Sequence, residues 1–112
     1  MFWYKIAETK EELFKEGEKK LIEIEIQGKR ICLAEYKDQL FGCAATCPHA
    51  GAKMAEGYVD ALGNIVCPLH RYKFSLERGR NVTGEGYFLK TYHVEVRKEG
   101  VFVGLAEKKE NL

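Results

Sequence analysis

The sequence is poor in several features that mark particular classes of protein. No apolar run approaches the roughly 20 residues that a membrane-spanning helix needs. The formal net charge is only +1 at pH 7, so electrostatics gives no reason to expect nucleic acid or an anionic membrane as a partner. Charged residues interrupt the start of the chain, which therefore does not read as a secretory signal. These absences favour a cytoplasmic protein whose thiols stay reduced.

Proline and histidine are also scarce, and their positions are informative. The chain contains 2 prolines, 3 histidines and 4 cysteines. Both prolines directly follow a cysteine, and a histidine closes each of the segments Cys47-Pro48-His49 and Cys67-Pro68-Leu69-His70. Proline fixes φ and removes a backbone N–H, which stiffens each segment just after its cysteine. Each segment therefore offers one thiolate and one imidazole, two common metal ligands, on a stiff loop.

Short strand-like segments dominate the rest of the chain. Ile22, Ile24 and Ile26 alternate with polar residues, and a similar alternation returns at residues 92–96. Turns rich in glycine and charged residues separate such segments. Many short strands with frequent turns predict an all-β fold, either an antiparallel sandwich or a small barrel.

The domain organisation predicted from the sequence is simple. One short helix is expected over about residues 10–15, where a threonine N-cap is followed by a glutamate three residues later. A single domain is expected over residues 1–106, with metal-binding loops at about residues 44–76, because a chain of 112 residues supports one modest core. The polar segment 107–112 is expected to be a frayed tail.

The type, order and spacing of the four ligand residues resemble the Rieske family. In that family, a 2Fe–2S cluster has two histidines in place of two cysteines on one iron. The similarity covers about residues 22–103 and is highly specific only at the ligands. It implies a Rieske-like antiparallel β-sandwich with a small cluster-binding subdomain. It also implies that Cys47 and Cys67 bind one iron and that His49 and His70 bind the other.

Several departures from the family pattern point to its low-potential ferredoxin type. Rieske proteins of respiratory and photosynthetic complexes usually brace their loops with a disulfide, whereas the matching positions here are Ala52 and Leu69. Hydroxyl groups that raise the potential in those proteins correspond here to Tyr72 and Phe74. Phenylalanine donates no hydrogen bond, and tyrosine is bulkier than the serine of that pattern.

Two further departures concern the shape of the loops. Arg71 stands where the family usually has glycine. A third loop, around residues 83–86, lacks the prolines that are common there. These positions predict that the loops differ in detail from those of other members.

The resemblance implies an electron carrier rather than an enzyme. We expect a soluble Rieske-type ferredoxin, with one 2Fe–2S cluster per chain, that carries one electron between a reductase and a terminal enzyme such as an oxygenase. Its partners would be the reductase and the terminal oxygenase or reductase, with no nucleic acid, membrane or small-molecule substrate. An oxygenase iron site needs two more histidines and a carboxylate, and only His93 remains after His49 and His70 are used.

The residues leave three other functions open. The first is a small electron-transfer subunit of a larger reductase, similar to the small subunit of nitrite reductases. The second is a structural zinc-binding module that uses the same two cysteines and two histidines. The third is a redox sensor. A cluster held by four cysteines would also need Cys32 and Cys43, but their spacing fits no ferredoxin, and both are expected to be small buried hydrophobic residues.

Two groups of residues near the ligands each have two interpretations. One group is either a basic collar that steers an acidic partner or ordinary surface, and it consists of Lys53, Arg71 and Lys73. The other group either packs beneath the loops or offers an apolar docking patch, and it consists of Met54, Leu69 and Phe74.

Overall fold

The structure is a computed structural model that describes residues 1–14 and 19–106. Within these ranges it contains nine β-strands and two short 3₁₀ turns, connected by loops. The strands are β1 Phe2–Ala7, β2 Leu21–Ile26, β3 Lys29–Tyr36, β4 Gln39–Ala44, β5 Tyr58–Val59, β6 Asn64–Val66, β7 Lys73–Ser75, β8 Thr91–Arg97 and β9 Gly100–Leu105. The prediction of an all-β fold is confirmed. No helix within the described ranges is long and apolar enough to span a membrane.

The helix predicted over residues 10–15 is shorter than expected. It is a 3₁₀ turn at Lys10–Leu13 that begins with the predicted capping box, in which the Glu12 carboxylate accepts a hydrogen bond from the Thr9 N–H at 2.9 Å. Phe14 is already extended and its side chain is buried in the core, so packing ends the turn at this point. Residue 15 and the predicted tail 107–112 lie outside the described residues.

All strand pairs are antiparallel, and they form two sheets. The larger sheet has six strands in the order β1-β9-β8-β4-β3-β2, and the smaller has three in the order β5-β6-β7. Side chains of β3 and β9 share one core although two strands separate them in the six-stranded sheet, with Ile31 and Leu33 packed in the same cluster as Val101 and Val103. The large sheet therefore curls on itself, as in a sandwich.

The strand β3 is buried on both faces, and this connects the two parts of the molecule. Alternate residues of a strand point to opposite faces. Ile31 and Leu33 face the core of the large sheet, while Cys32 and Ala34 belong to a second core that also contains residues of the small sheet. The three-stranded sheet thus packs on the outer face of the large one and forms the expected small subdomain.

The two segments that contain the predicted metal ligands follow strands of different sheets. The strand β4 of the large sheet ends at Ala44, shortly before Cys47, and β6 of the small sheet ends at Val66, directly before Cys67. Both segments leave their strands as loops, as predicted. Side chains placed on loops between rigid strands are held with little freedom, which suits a preorganised site.

Candidate metal centre

The two ligand segments fold into the same turn, and we name them ligand loop 1 (residues 47–52) and ligand loop 2 (residues 67–72). In loop 1 the Gly51 N–H donates to the Cys47 carbonyl at 2.9 Å, and the Cys47 N–H donates to the Ala52 carbonyl at 2.8 Å. In loop 2 the matching bonds run from the Arg71 N–H to the Cys67 carbonyl at 3.0 Å and from the Cys67 N–H to the carbonyl of residue 72 at 2.9 Å. Each turn is therefore closed by its own cysteine.

The fifth residue of each loop has a left-handed backbone. Gly51 has φ of 72° and Arg71 has φ of 60°. This conformation costs a residue with a Cβ roughly 1–2 kcal/mol, whereas glycine adopts it freely. Arginine at position 71 therefore keeps the turn that glycine would make, at a cost in backbone energy. With arginine in place of glycine, loop 2 still has the same turn as loop 1.

The four predicted ligands come together at the tips of these loops. The Nδ1 atoms of His49 and His70 lie 3.3 Å apart, so both rings direct a metal-binding nitrogen to the same place. The thiols of Cys47 and Cys67 are neighbours on the inner side, where the residues are only 2% and 0% exposed. None of the four described cysteines forms a disulfide. The centre thus has a buried sulfur side and an outer nitrogen side.

The environment of Cys47 contains groups that stabilise a negative sulfur. Burial raises the pKa of the Cys47 thiol, and the neighbouring Cys67 thiol adds to this increase. The backbone N–H groups of His49 and Ala50 lower the same pKa by donating hydrogen bonds to the sulfur. Such N–H groups at a buried sulfur are suited to a thiolate bound to a metal, which keeps its negative charge out of water.

The donor set fits a two-iron cluster better than a single ion. Within residues 1–14 and 19–106, no group of three or more His, Cys, Asp or Glu side chains is arranged to hold one metal ion. The ligands instead form a pair of thiols and a pair of imidazoles. In a 2Fe–2S cluster, bridging sulfides complete the coordination, so each iron needs only two protein ligands. A structural zinc ion would require all four side chains around one point.

The two histidines have different surroundings. The ring of His49 is half-buried, with its centroid 4.5 Å from that of Tyr72 and 5.3 Å from that of Tyr87. His70 is exposed, and its ring lies 5.9 Å from Tyr72. The sequence pattern did not identify Tyr87, which lies on the third loop, defined here as residues 79–88. The sequence feature that could have identified Tyr87 is an aromatic residue directly after a glycine-rich stretch.

The remaining predictions about the surroundings have mixed outcomes. Met54 and Phe74 are fully buried and pack beneath the loops, whereas Leu69 is 54% exposed beside His70. The basic collar is incomplete, because the Lys73 ammonium lies 3.5 Å from the Asp60 carboxylate while Lys53 and Arg71 are exposed.

The other two cysteines share a core cluster with Cys47 and Cys67, and the third histidine lies on a strand. Cys32 and Cys43 face each other across β3 and β4 and are buried, as expected. Their mutual hydrogen bond, followed by burial, raises the pKa of Cys43, which keeps it a neutral thiol. His93 is exposed on β8.

Comparison with known proteins identifies the type of domain. The family model of the Rieske [2Fe-2S] domain matches residues 2–92. The ferredoxin component of a naphthalene 1,2-dioxygenase system of Pseudomonas aeruginosa is 26% identical over 95 residues, which cover 84% of this chain and 90% of that protein. Because the family model describes an iron–sulfur domain, the zinc-binding module is not retained.

Solved structures share the fold. The ferredoxin of carbazole 1,9a-dioxygenase from Nocardioides aromaticivorans IC177 has a TM-score of 0.74 and 21% identity, with 88% of this chain and 95% of that chain covered. A protein described as the small subunit of an NADH-dependent nitrite reductase from Mycobacterium tuberculosis has a TM-score of 0.78 and 19% identity, with 95% and 97% covered. At these identities the likeness concerns the fold alone.

Proposed function

The chain belongs to the Rieske [2Fe–2S] family, and on this premise we propose that it is a ferredoxin that carries one electron between a reductase and a terminal enzyme such as an oxygenase. The observation that carries the proposal is the convergence of two buried thiols and two imidazoles at the tips of ligand loops 1 and 2. In this assignment Cys47 and Cys67 would hold the inner iron, and His49 and His70 would hold the outer one. A ferredoxin component of a dioxygenase system matches most of the chain.

The residues of the site suit one-electron transfer. When bound, a Rieske 2Fe–2S cluster accepts one electron and later releases it. The buried cysteines keep water from the inner side, and the two imidazoles bring no negative charge to the outer side. Pro48 and Pro68 stiffen the two loops, so the protein changes little between the two oxidation states.

The partner is proposed to dock over His70. This ligand is exposed, while Tyr72 and Tyr87 cover much of His49. Next to His70, Leu69 provides an exposed apolar side chain and Arg71 a positive charge. Interfaces combine apolar anchors with complementary charge, so the matching partner surface has an apolar contact ringed by acidic residues. The electron then passes through the His70 ring.

The docking proposal is tested by the rate of electron transfer. The reductase of a naphthalene 1,2-dioxygenase system would be mixed with the holoprotein in a stopped-flow instrument. Leu69→Asp is expected to slow the reduction about tenfold, because it removes the apolar contact and repels an acidic partner. Leu62→Asp is the control, since Leu62 is also an exposed leucine and lies in the turn before β6. Equal rates for both variants would reject docking over His70.

The second candidate function is a small electron-transfer subunit of a larger reductase, and the likeness in fold to a nitrite reductase small subunit favours it. A permanent subunit hides more apolar surface than a carrier that binds transiently. Size-exclusion chromatography of the native protein separates the two functions, because a carrier elutes as a free chain and a subunit elutes with its partner. We also propose a cytoplasmic location, where four cysteines remain without disulfides.

A further inference from the structure

The third loop is shaped by one asparagine side chain and not by prolines. The Asn81 amide nitrogen lies 3.0 Å from each of three acceptors, namely the Lys73 carbonyl, the Thr83 hydroxyl and the Glu85 carboxylate. The Asn81 side-chain oxygen accepts the N–H groups of Glu85 at 2.6 Å and of Gly86 at 3.0 Å. One side chain thus ties the loop to β7 and closes it on itself.

Thr83 completes this arrangement, which we name the Asn81–Thr83–Glu85 brace. Its hydroxyl accepts the Lys73 N–H at 3.2 Å and donates a hydrogen bond to the Glu85 carboxylate. The carboxylate therefore has two polar partners that hold it in place. A surface glutamate without such partners samples many rotamers, which spreads its charge over a large volume.

The brace places this carboxylate on the His49 side of the centre. Glu85 precedes Tyr87 by two residues, and the Tyr87 ring lies 5.3 Å from the ring of His49. The Thr83 and Asn81 side chains lower the pKa of Glu85, so this group is ionised at neutral pH. Burial raises the pKa of Tyr72, and the Glu85 charge adds to this effect. Tyr72 in turn contacts His49.

We propose that the Asn81–Thr83–Glu85 brace fixes a negative charge beside His49 and thereby lowers the reduction potential of the centre. The inference rests on the proposed function, since it takes His49 as a ligand of the outer iron. Reduction adds one electron and hence one negative charge, and a fixed carboxylate nearby repels that charge. For a partly solvated pair, such repulsion changes the equilibrium constant for reduction by roughly two- to tenfold.

The brace has a purely mechanical interpretation as well, in which it only stiffens a loop that lacks prolines. The two interpretations differ for Glu85→Gln, because glutamine keeps the length and an acceptor oxygen but loses the charge. Electrostatic control predicts a changed potential in this variant, whereas a mechanical role predicts an unchanged one. Glu99→Gln is the matched control, since Glu99 is exposed in the turn between β8 and β9 and the variant has the same net charge.

The experiment is a redox titration of the holoproteins followed by low-temperature EPR, with amide hydrogen exchange of residues 82–87 measured alongside. Glu85→Gln is expected to raise the equilibrium constant for reduction by roughly two- to tenfold, with exchange close to wild type. Asn81→Ala is expected to shift the potential in the same direction and to speed the exchange, because the carboxylate is released. A Glu85→Gln potential equal to that of Glu99→Gln would overturn the inference. A wild-type protein without a Rieske signal would overturn the proposed function itself, and the inference with it.

Discussion

Ligand loops 1 and 2 have the same backbone turn, and they begin with the same Cys-Pro pair. They differ in where the histidine stands, at the third position in loop 1 (His49) and at the fourth in loop 2 (His70). Successive side chains of a turn point in different directions, so this offset changes the direction of the imidazole without changing the loop. The result is a separation of 3.3 Å between the two Nδ1 atoms. The comparison shows that the position of the ligand, more than the fold of the loop, makes the two rings converge.

The two loops also differ in what supports them. Loop 1 follows β4 of the six-stranded sheet, while loop 2 follows β6 of the three-stranded sheet. Tyr72 and Tyr87 cover the histidine of loop 1, whereas the histidine of loop 2 is exposed. Loop 1 is thus the better supported half of the centre, and loop 2 is the half that meets the solvent. The following substitutions test this comparison, beginning with the largest effect.

The double variant His49→Ala/Ala50→His moves the histidine of loop 1 from the third to the fourth position, so the two loops no longer differ in histidine position. It gives loop 1 the ligand spacing of loop 2 while keeping its backbone turn. We expect complete loss of the Rieske EPR signal, because the moved imidazole no longer points to the outer iron. Ala50→Ser is the control, and it should keep the signal since residue 50 is exposed. A normal signal in the double variant would show that the spacing does not decide the ligand geometry.

The support of loop 2 is tested at Asp60, in the turn before β6. Its carboxylate accepts the N–H groups of Leu62 at 2.9 Å and Asn64 at 3.0 Å, and it lies 3.5 Å from the Lys73 ammonium. Asp60→Ala removes these three interactions and the hydrogen bond from the Asn64 side-chain amide at 3.2 Å, and it is expected to cost about 2 kcal/mol of local stability. Asp60→Asn should lose less local stability than Asp60→Ala, because the asparagine side-chain oxygen still accepts the two backbone N–H groups. Native-state amide exchange should then be faster in β6 and loop 2, with loop 1 unchanged.

The same carboxylate predicts a dependence on pH. Burial acts to raise the pKa of Asp60, but hydrogen bonds from Asn64 and Leu62 and the charge of Lys73 outweigh it and hold the pKa below its ordinary value. A carboxylate with a lowered pKa stabilises the folded state above the unfolded pKa of about 4, and this contribution is lost as the pH falls through the folded value. The exchange rates of wild type and Asp60→Asn should therefore approach each other below about pH 4. A constant difference down to pH 2 would contradict this assignment.

The left-handed position of loop 1 is tested with Gly51→Ala. A Cβ at residue 51 would meet no atom within 4 Å, so only the backbone conformation opposes it. We expect the folded protein to lose about 1 kcal/mol of stability. This loss would appear as a lower midpoint temperature in a thermal melt that follows the absorbance of the cluster. Ala50→Gly is a control at the neighbouring residue, whose φ is not positive. An unchanged midpoint for Gly51→Ala would mean that the turn relaxes to another conformation.

The smallest effect on stability is expected for Arg71→Gly. This variant should be slightly more stable than the wild type, whereas Gly51→Ala should be less stable. Glycine relieves the left-handed strain at residue 71 but increases the freedom of the unfolded chain, so the net gain is less than about 1 kcal/mol. The midpoint of cluster loss should rise slightly, while electron transfer from an acidic partner should slow because a positive charge is gone. A lower midpoint would show that the Arg71 side chain itself stabilises loop 2.

Part of this site could be predicted from the sequence for a physical reason. Metal ligands on short loops must have fixed types and spacing, so Cys47, His49, Cys67 and His70 are visible as a pattern. The alternation of Ile22, Ile24 and Ile26 likewise reflects the geometry of a half-buried strand. These local rules predicted the class of fold, which is confirmed, and the four residues that we propose as ligands.

The surroundings of the centre could not be predicted because they depend on contacts between distant segments. The Asn81 side chain bonds the carbonyl of Lys73 in another element, and no periodicity encodes such a contact. Tyr87 covers His49 only because the third loop folds over the site. The helix predicted over about residues 10–15 is a shorter 3₁₀ turn for a related reason, since burial of Phe14 ends it early.

The central claim, that two cysteines and two histidines hold one 2Fe–2S cluster, is tested most directly by low-temperature EPR of the dithionite-reduced protein with iron and zinc quantified on the same sample. Pulsed EPR on that sample would count the coordinating nitrogens. The account predicts two irons per chain, a rhombic signal with an average g below that of all-cysteine clusters, and couplings to two imidazole nitrogens. One zinc per chain with a silent spectrum, or an iron cluster without nitrogen couplings, would contradict it.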